Sequence, residues 1–101
     1  MIIYSVTINI DDEVQEEWLR WMKEEHIPDV MATGLMRGYR MMRLLTRQED
    51  ETGVTYNIQY SLNSLEDFTR YQDEFAPGLQ QKTAMKFGGK FVAWRTLLEE
   101  V

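Results

Sequence analysis

Ile2-Ile3-Tyr4-Ser5-Val6-Thr7-Ile8-Asn9-Ile10 sets Ile2, Tyr4, Val6, Ile8 and Ile10 against Ile3, Ser5, Thr7 and Asn9. Alternation with period two is the pattern of a strand with one buried face. A second run repeats it, with Val54, Tyr56, Ile58, Tyr60 and Leu62 alternating with Thr55, Asn57, Gln59 and Ser61. Each strand keeps its large apolar side chains on one side and small, neutral polar ones on the other. The fold therefore turns on what covers each face.

Outward from the first strand, Asp12 is placed to cap a helix, with Gln15 completing a capping box. Val14, Trp18, Met22 and His26 then recur every fourth residue and predict an amphipathic helix. Pro28 disfavours helical geometry in the residue before it, so an end near Ile27 is expected, followed by a short second helix from Pro28 to Thr33 that Gly34 terminates. A strand is read from Met36 to Thr46. It joins the Val54–Leu62 strand through Gln48, Glu49, Asp50, Glu51, Thr52 and Gly53, a charged hairpin connection. Ser64, answered by Asp67, starts another helix whose inner stripe is Leu65, Phe68, Tyr71, Gln72 and Phe75. Pro77 interrupts it and opens a further turn or two, Gly88 and Gly89 end that segment, and Phe91 to Leu98 forms a last strand.

Strand, helix, strand, strand, helix, strand is the split βαβ order of an α+β, ferredoxin-like domain. In that architecture two helices cover one face of an antiparallel four-stranded sheet. On the two central strands the uncovered face carries Ser5, Thr7 and Asn9 beside Thr55, Asn57, Gln59 and Ser61. A face built for bulk water usually shows Lys and Glu; this one is polar and nearly uncharged. It fits a cavity or a second subunit, and a homodimer with its two sheets apposed is the expectation.

The chain has 101 residues and no break in composition, which fits one domain over residues 1–101. At 44% hydrophobic residues it can build a core. Met1 to Ile10 lacks the layout of a signal peptide and no apolar run reaches the ~20 residues of a membrane span, so the cytoplasm is the default compartment and no membrane partner is expected. A net charge of −6 opposes the phosphate backbone, and no nucleic-acid partner is expected. Arg37, Arg40, Arg43 and Arg47 fall on both faces of one strand and read as solvated. Lys86-Phe87-Gly88-Gly89-Lys90-Phe91-Val92-Ala93-Trp94 is loosely similar to an RNA-binding signature, but that signature sits on the third strand of its fold, where this chain offers Thr55, Asn57 and Gln59.

His26 is the only histidine and so the one side chain whose ordinary pKa lies near neutrality. It is the candidate catalytic group, set against a structural role at a helix end, because no orienting partner accompanies it in the sequence. No metal site is expected, since there is no cysteine and no second histidine at a ligand spacing. Glu13, Glu16, Glu17, Glu24 and Glu25 read as a solvated face. No Gly-x-Ser-x-Gly elbow and no phosphate-cradling glycine loop is present. The candidate small-molecule site is Asn9, Asn57, Gln59 and one or both of Arg43 and Arg95, converging on the uncovered face. A wet dimer interface explains the same polar groups. The direction of Arg95 is open, because Phe91, Ala93, Arg95 and Leu97 alternate with Val92, Trp94, Thr96 and Leu98 and either row suits a core.

Tyr4-Ser5-Val6-Thr7, Trp18-Leu19, Trp21-Met22, His26-Ile27-Pro28, Met31-Ala32-Thr33-Gly34, Tyr56-Asn57-Ile58-Gln59-Tyr60 and Arg95-Thr96 together resemble a family of short bacterial proteins of unknown function in the dimeric α/β-barrel superfamily. The resemblance covers nearly the whole chain. It implies a ferredoxin-like fold and a homodimer with apposed sheets, and it implies no activity. More distant members of that superfamily include cofactor-free monooxygenases, haem-degrading enzymes and isomerases, among which fold analogy does not choose. The haem-degrading pattern of Asn, Trp and His maps here only onto Asn9, Trp21 and His26, with no tryptophan on the third strand, so no cofactor is expected. Two functions stay in view: a small dimeric ligand-binding or accessory protein, and a small-molecule enzyme of the cofactor-independent monooxygenase or isomerase type.

Overall fold

The computed structural model describes residues 1–46 and 50–101. Gln48 and Glu49 of the expected hairpin connection, and Arg47 of the arginine group, lie outside the described residues. Four strands, β1 (Ile2–Ile10), β2 (Gly38–Arg43), β3 (Val54–Leu62) and β4 (Phe91–Glu99), form one sheet in the order β2-β3-β1-β4, antiparallel throughout. The architecture is the ferredoxin-like α+β fold, with β1 and β3 at the centre as their alternation requires.

Ile2, Tyr4, Val6, Ile8 and Ile10 of β1 and Tyr56, Ile58, Tyr60 and Leu62 of β3 are all buried on one face. The helices lie over that face and contribute Trp18, Met22, Ile27, Val30, Tyr71 and Phe87 to a single core. Trp18, the largest fully buried side chain, packs its ring 5.1 Å from that of Tyr56. Among the described residues its indole N–H is buried without a hydrogen-bond partner. Gly53 leads into β3 at φ +77, and a Cβ there would meet the Ile10 carbonyl oxygen at 2.6 Å, so no other residue fits this turn without distortion.

Several local expectations are corrected. Asp11 rather than Asp12 accepts the capping hydrogen bond, from the Glu13 N–H at 2.9 Å, and a 3-10 turn (Asp12–Val14) precedes α1 (Gln15–Trp21). Gln15 reaches across to donate to the Tyr56 hydroxyl instead of closing a capping box. The helix does not end at Ile27. A π turn (Met22–His26) carries it into α2 (Ile27–Ala32), with the Ile27 N–H donating to the Met22 carbonyl five residues back. A π turn loosens the backbone ladder where proline lacks an N–H and crowds the preceding turn, which is how Pro28 is accommodated.

In α3 (Leu65–Glu74), Ser64 caps the Asp67 N–H at 3.2 Å as expected. Tyr71 is buried and Phe68 and Phe75 are half-buried, while Leu65 and Gln72 of the expected stripe are exposed. After Phe75, Pro77 sits in the first turn of α4 (Ala76–Phe87), where its missing N–H is harmless, and the helix runs twelve residues rather than a turn or two. No helix among the described residues is long and apolar enough to cross a membrane.

Candidate functional site

Register decides where each candidate side chain goes. In the β1–β4 pairing Arg95 stands opposite Val6 and Leu97 opposite Tyr4, whereas Trp94 stands opposite Thr7 and Thr96 opposite Ser5. Arg95 therefore shares the helix-covered face with Val6 and Tyr4, and the uncovered face of β4 carries Val92, Trp94, Thr96 and Leu98. In β2, Arg43 stands opposite Tyr56 and Arg40 opposite Gln59, so the arginine beside Gln59 on the uncovered face is Arg40.

The five residues expected on one face thus separate. Asn57, Gln59 and Arg43 border a shallow hollow of about 490 Å³ together with Thr7, Met42, Leu44, Leu45 and Thr55. Asn9 lies beyond it, at the end of β1. The Asn57 amide donates to Ser5 Oγ at 2.9 Å and to Thr7 Oγ1 at 3.0 Å. The Asn9 amide donates to the Thr52 carbonyl at 2.9 Å and to Thr55 Oγ1 at 3.1 Å. Both amides have their N–H groups satisfied inside the chain, so neither offers a free donor to a ligand. Apolar side chains flank this polar strip: Val92, Trp94 and Leu98 on β4 and Met42 on β2 are all exposed.

The other face holds a different arrangement. Between sheet and helices lie two neighbouring hollows that share part of their lining. One, of about 160 Å³, is bordered by Tyr4, Phe68 and Tyr71 and by the exposed side chains of Arg95, Gln72 and Gln80. The other, of about 40 Å³, is bordered by Met22, His26, Tyr60, Leu79 and Thr83. Tyr4, Tyr71, Gln80 and Arg95 border both. The rings are close: Tyr4 lies 5.2 Å from Phe68, 5.8 Å from Tyr71 and 6.2 Å from Tyr60. No carboxylate lines either hollow, although the chain as a whole is acidic.

Local structure places these groups. Tyr4 and Tyr60 stand opposite each other in the β1–β3 register. The π turn delivers His26 to the cavity edge, where its ring packs 5.1 Å from that of Trp21. Burial lowers the His26 pKa; Asp29 opposes that shift, and Arg95 and Lys82 reinforce it. The imidazole is therefore neutral at pH 7, and among the described residues it has no hydrogen-bond partner. Burial raises the pKa of Tyr4, and Arg95 works against that rise through its charge and a hydrogen bond to the hydroxyl. Tyr60 and Tyr71 are also raised, by burial first and then by the neighbouring tyrosine hydroxyls. All three phenols stay protonated near neutrality. The arrangement offers one fixed cation, three phenols and one neutral imidazole around an aromatic-walled space. It provides sites for a negative charge and for hydrogen bonds, and no acidic partner for a cation.

Sequence reasoning nominated His26, nominated Arg95 for the uncovered face rather than this one, and counted Tyr4, Tyr60 and Tyr71 as core. The available signal was their chemistry: three tyrosines at buried positions bring hydroxyls that need polar company.

Solved structures with this fold are numerous. An EthD (ethyl tert-butyl ether D) family protein from Bacillus halodurans superposes with a TM-score of 0.73 at 11% identity, covering 100% of both chains. A protein described as an antibiotic biosynthesis monooxygenase gives 0.68 at 10% identity over 100% of this chain and 99% of its own. A hydroxynitrile lyase from Passiflora edulis gives 0.65 at 13% identity over 99% and 95%. At such identities the likeness shows the fold alone. None of the curated proteins matches the sequence. One family model does, over residues 1–101, and the chain belongs to that family, the domain of unknown function DUF4286.

Proposed function

We propose that this protein binds a small organic anion in the cavity between its helices and its sheet, and that it does so as a homodimer joined through the uncovered sheet face. The observation that carries the ligand reading is Arg95. It borders an aromatic-walled cavity that no carboxylate lines, and among the described residues it forms no ion pair. A guanidinium left without a counter-charge beside apolar walls is a receptor for a carboxylate. The dimer reading rests on the other face, where internally satisfied amides lie between exposed apolar rows and Arg40 is the one charged side chain of the strands' outward positions among the described residues. Asn9, Asn57 and Gln59 then serve the interface.

Calorimetric titration with benzoate and with benzamide tests the ligand reading. Benzoate is expected to bind and benzamide to bind at least about tenfold more weakly, with Arg95→Gln bringing the two together. Equal binding of acid and amide by the unaltered protein contradicts it. A second reading, a small-molecule enzyme, is favoured by one observation, the neutral and unpartnered His26 at the cavity edge, which could accept a proton from a bound substrate. Mass spectrometry of the ligand recovered after titration separates the two readings, since binding alone returns it unchanged.

A further inference from the structure

Two side chains that can carry positive charge border the same hollow from different elements. Arg95 comes from β4 and His26 from the π turn, and the lining they share holds no carboxylate. Resting on the reading above, we infer that the site takes up its anion together with a proton, which His26 carries, so that the bound anion shares its hollow with an imidazolium and a guanidinium.

Without an anion, the surroundings of His26 favour its neutral form. Burial opposes the charge, and so do Arg95 on β4 and Lys82 on α4, while Asp29 on α2 works the other way. Asp29 is itself paired with Lys82 at 3.5 Å, which offsets its pull on the imidazole. Tyr4 of β1, Tyr60 of β3 and Tyr71 of α3 border the hollow as neutral phenols. Within the π turn Lys23, Glu24 and Glu25 are exposed, and Lys86 of α4 pairs with Glu17 at 3.8 Å. Among the described residues no hydrogen bond occupies the His26 ring. What holds the proton off is a missing counter-charge, and its nitrogen is free to receive one.

An anion beside Arg95 supplies that counter-charge. It offsets the guanidinium that repels the imidazolium, and it attracts the imidazolium directly. The proton comes from water or from the acid form of the buffer and adds to the free imidazole nitrogen. The ligand stays a carboxylate and no other bond changes, so the complex gains one negative charge and one positive. Linkage makes the effect reciprocal: the factor by which a proton on His26 strengthens anion binding is the factor by which the anion strengthens proton binding. The free folded protein titrates below the ordinary 6.5 and the complex above that free value. Affinity for the anion therefore rises as the pH falls through the interval between them.

Calorimetry of the whole chain with benzoate and with hexanoate tests this, in buffers of different ionisation enthalpy so that the heat counts the protons exchanged. Net proton uptake is expected as the pH is lowered from 8 towards 5.5, with affinity increasing by up to about tenfold. His26 is the only histidine, so its ring gives a single magnetic-resonance titration curve. Saturation with benzoate is expected to raise the proton affinity of that ring about tenfold, and Arg95→Gln to raise it in the free protein. His26→Gln is expected to abolish the uptake and to flatten the dependence of affinity on pH. A protein that prefers benzoate to benzamide yet takes up no proton, or whose ring titration is unmoved by saturation, overturns this inference and leaves the anion reading standing. An unmoved ring titration in Arg95→Gln shows that the two side chains do not couple and overturns it as well. Binding of neither carboxylate overturns both readings. Uptake that persists in His26→Gln places the proton elsewhere and removes His26 from the role. The ring titration uses the unaltered protein, so the inference stays open to refutation if His26→Gln does not fold.

Discussion

The two faces of the sheet handle polar groups in opposite ways. On the uncovered face, the Asn57 amide donates to Ser5 and Thr7 and the Asn9 amide to Thr52 and Thr55, so both amides find acceptors within the chain and the surface left over is apolar at its margins and neutral in its middle. On the covered face, apolar side chains close the core over most of its area, yet Tyr4, Tyr60, Tyr71, His26 and Arg95 gather around two neighbouring hollows. A polar surface whose Asn9 and Asn57 N–H groups are already paired within the chain is suited to lie against a large neighbour, because those donors lose nothing when water leaves. A hollow bordered by a guanidinium that forms no ion pair among the described residues is suited to a small anionic ligand, which would supply the missing counter-charge.

Matched truncations on the two faces should give opposite results. Leu62 is fully buried on the covered side of β3, and Leu62→Ala should cost about 2–5 kcal/mol of folding stability, read from the midpoint of urea denaturation. Trp94 is 55% exposed on the uncovered side of β4, and Trp94→Ala should change the stability of the dilute chain by less than about 1 kcal/mol. If the uncovered face is the proposed interface, the same substitution should raise the dissociation constant of the dimer about 30-fold, as loss of a tryptophan buried between subunits does, measured by analytical ultracentrifugation across concentration. If both variants lose stability and association is untouched, the uncovered face is not an interface. A unaltered protein that sediments as a monomer at all concentrations leads to the same conclusion.

How much of this could be read in the sequence depended on whether the deciding interactions were local. β1 and β3 declared their faces because every second residue carries the same message, and the observed pairing of Ile2 with Leu62 through Ile10 with Val54 places both apolar rows together. β4 did not declare its faces, since Arg95 and Trp94 stand in rows of equal hydrophobicity; only the long-range register, Arg95 opposite Val6, settles the matter. Arg43 was grouped with Asn57 and Gln59 on the uncovered face; the β2 pairing sets Arg40 opposite Gln59, yet Arg43 borders the same hollow as Asn57 and Gln59, so strand register alone does not decide that grouping. The passage through Pro28 was read as a helix end because proline rules describe an ordinary α-helix, and a π turn evades them. The cavity was invisible for a related reason. Period two marks Tyr4 and Tyr60 as inward, but whether an inward hydroxyl meets a partner or a void depends on how α3 and α4 sit over the sheet.

The smallest expected effect probes the cavity without a ligand. Burial sets the folded pKa of His26 below the 6.5 of the unfolded chain, with Arg95 and Lys82 adding to the shift and Asp29 opposing it. Between the folded and unfolded values the unfolded state binds more protons, so stability rises with pH across that window. The His26 contribution is fully present above pH 6.5 and is lost as the pH falls through the folded value. Tyr4, Tyr60 and Tyr71 are raised above their ordinary 10.0 and stay neutral throughout, so they add nothing to the slope. Urea midpoints measured from pH 8 to pH 5 should therefore decline more for the unaltered protein than for His26→Gln, which carries the same carboxylates and lacks the imidazole. A bound carboxylate beside Arg95 should shrink the difference, because its charge favours the imidazolium that Arg95 disfavours. Identical declines in the two proteins would mean that His26 faces water as freely when folded as when unfolded, and the contrast between the two faces would then rest on Arg95 and the tyrosines alone.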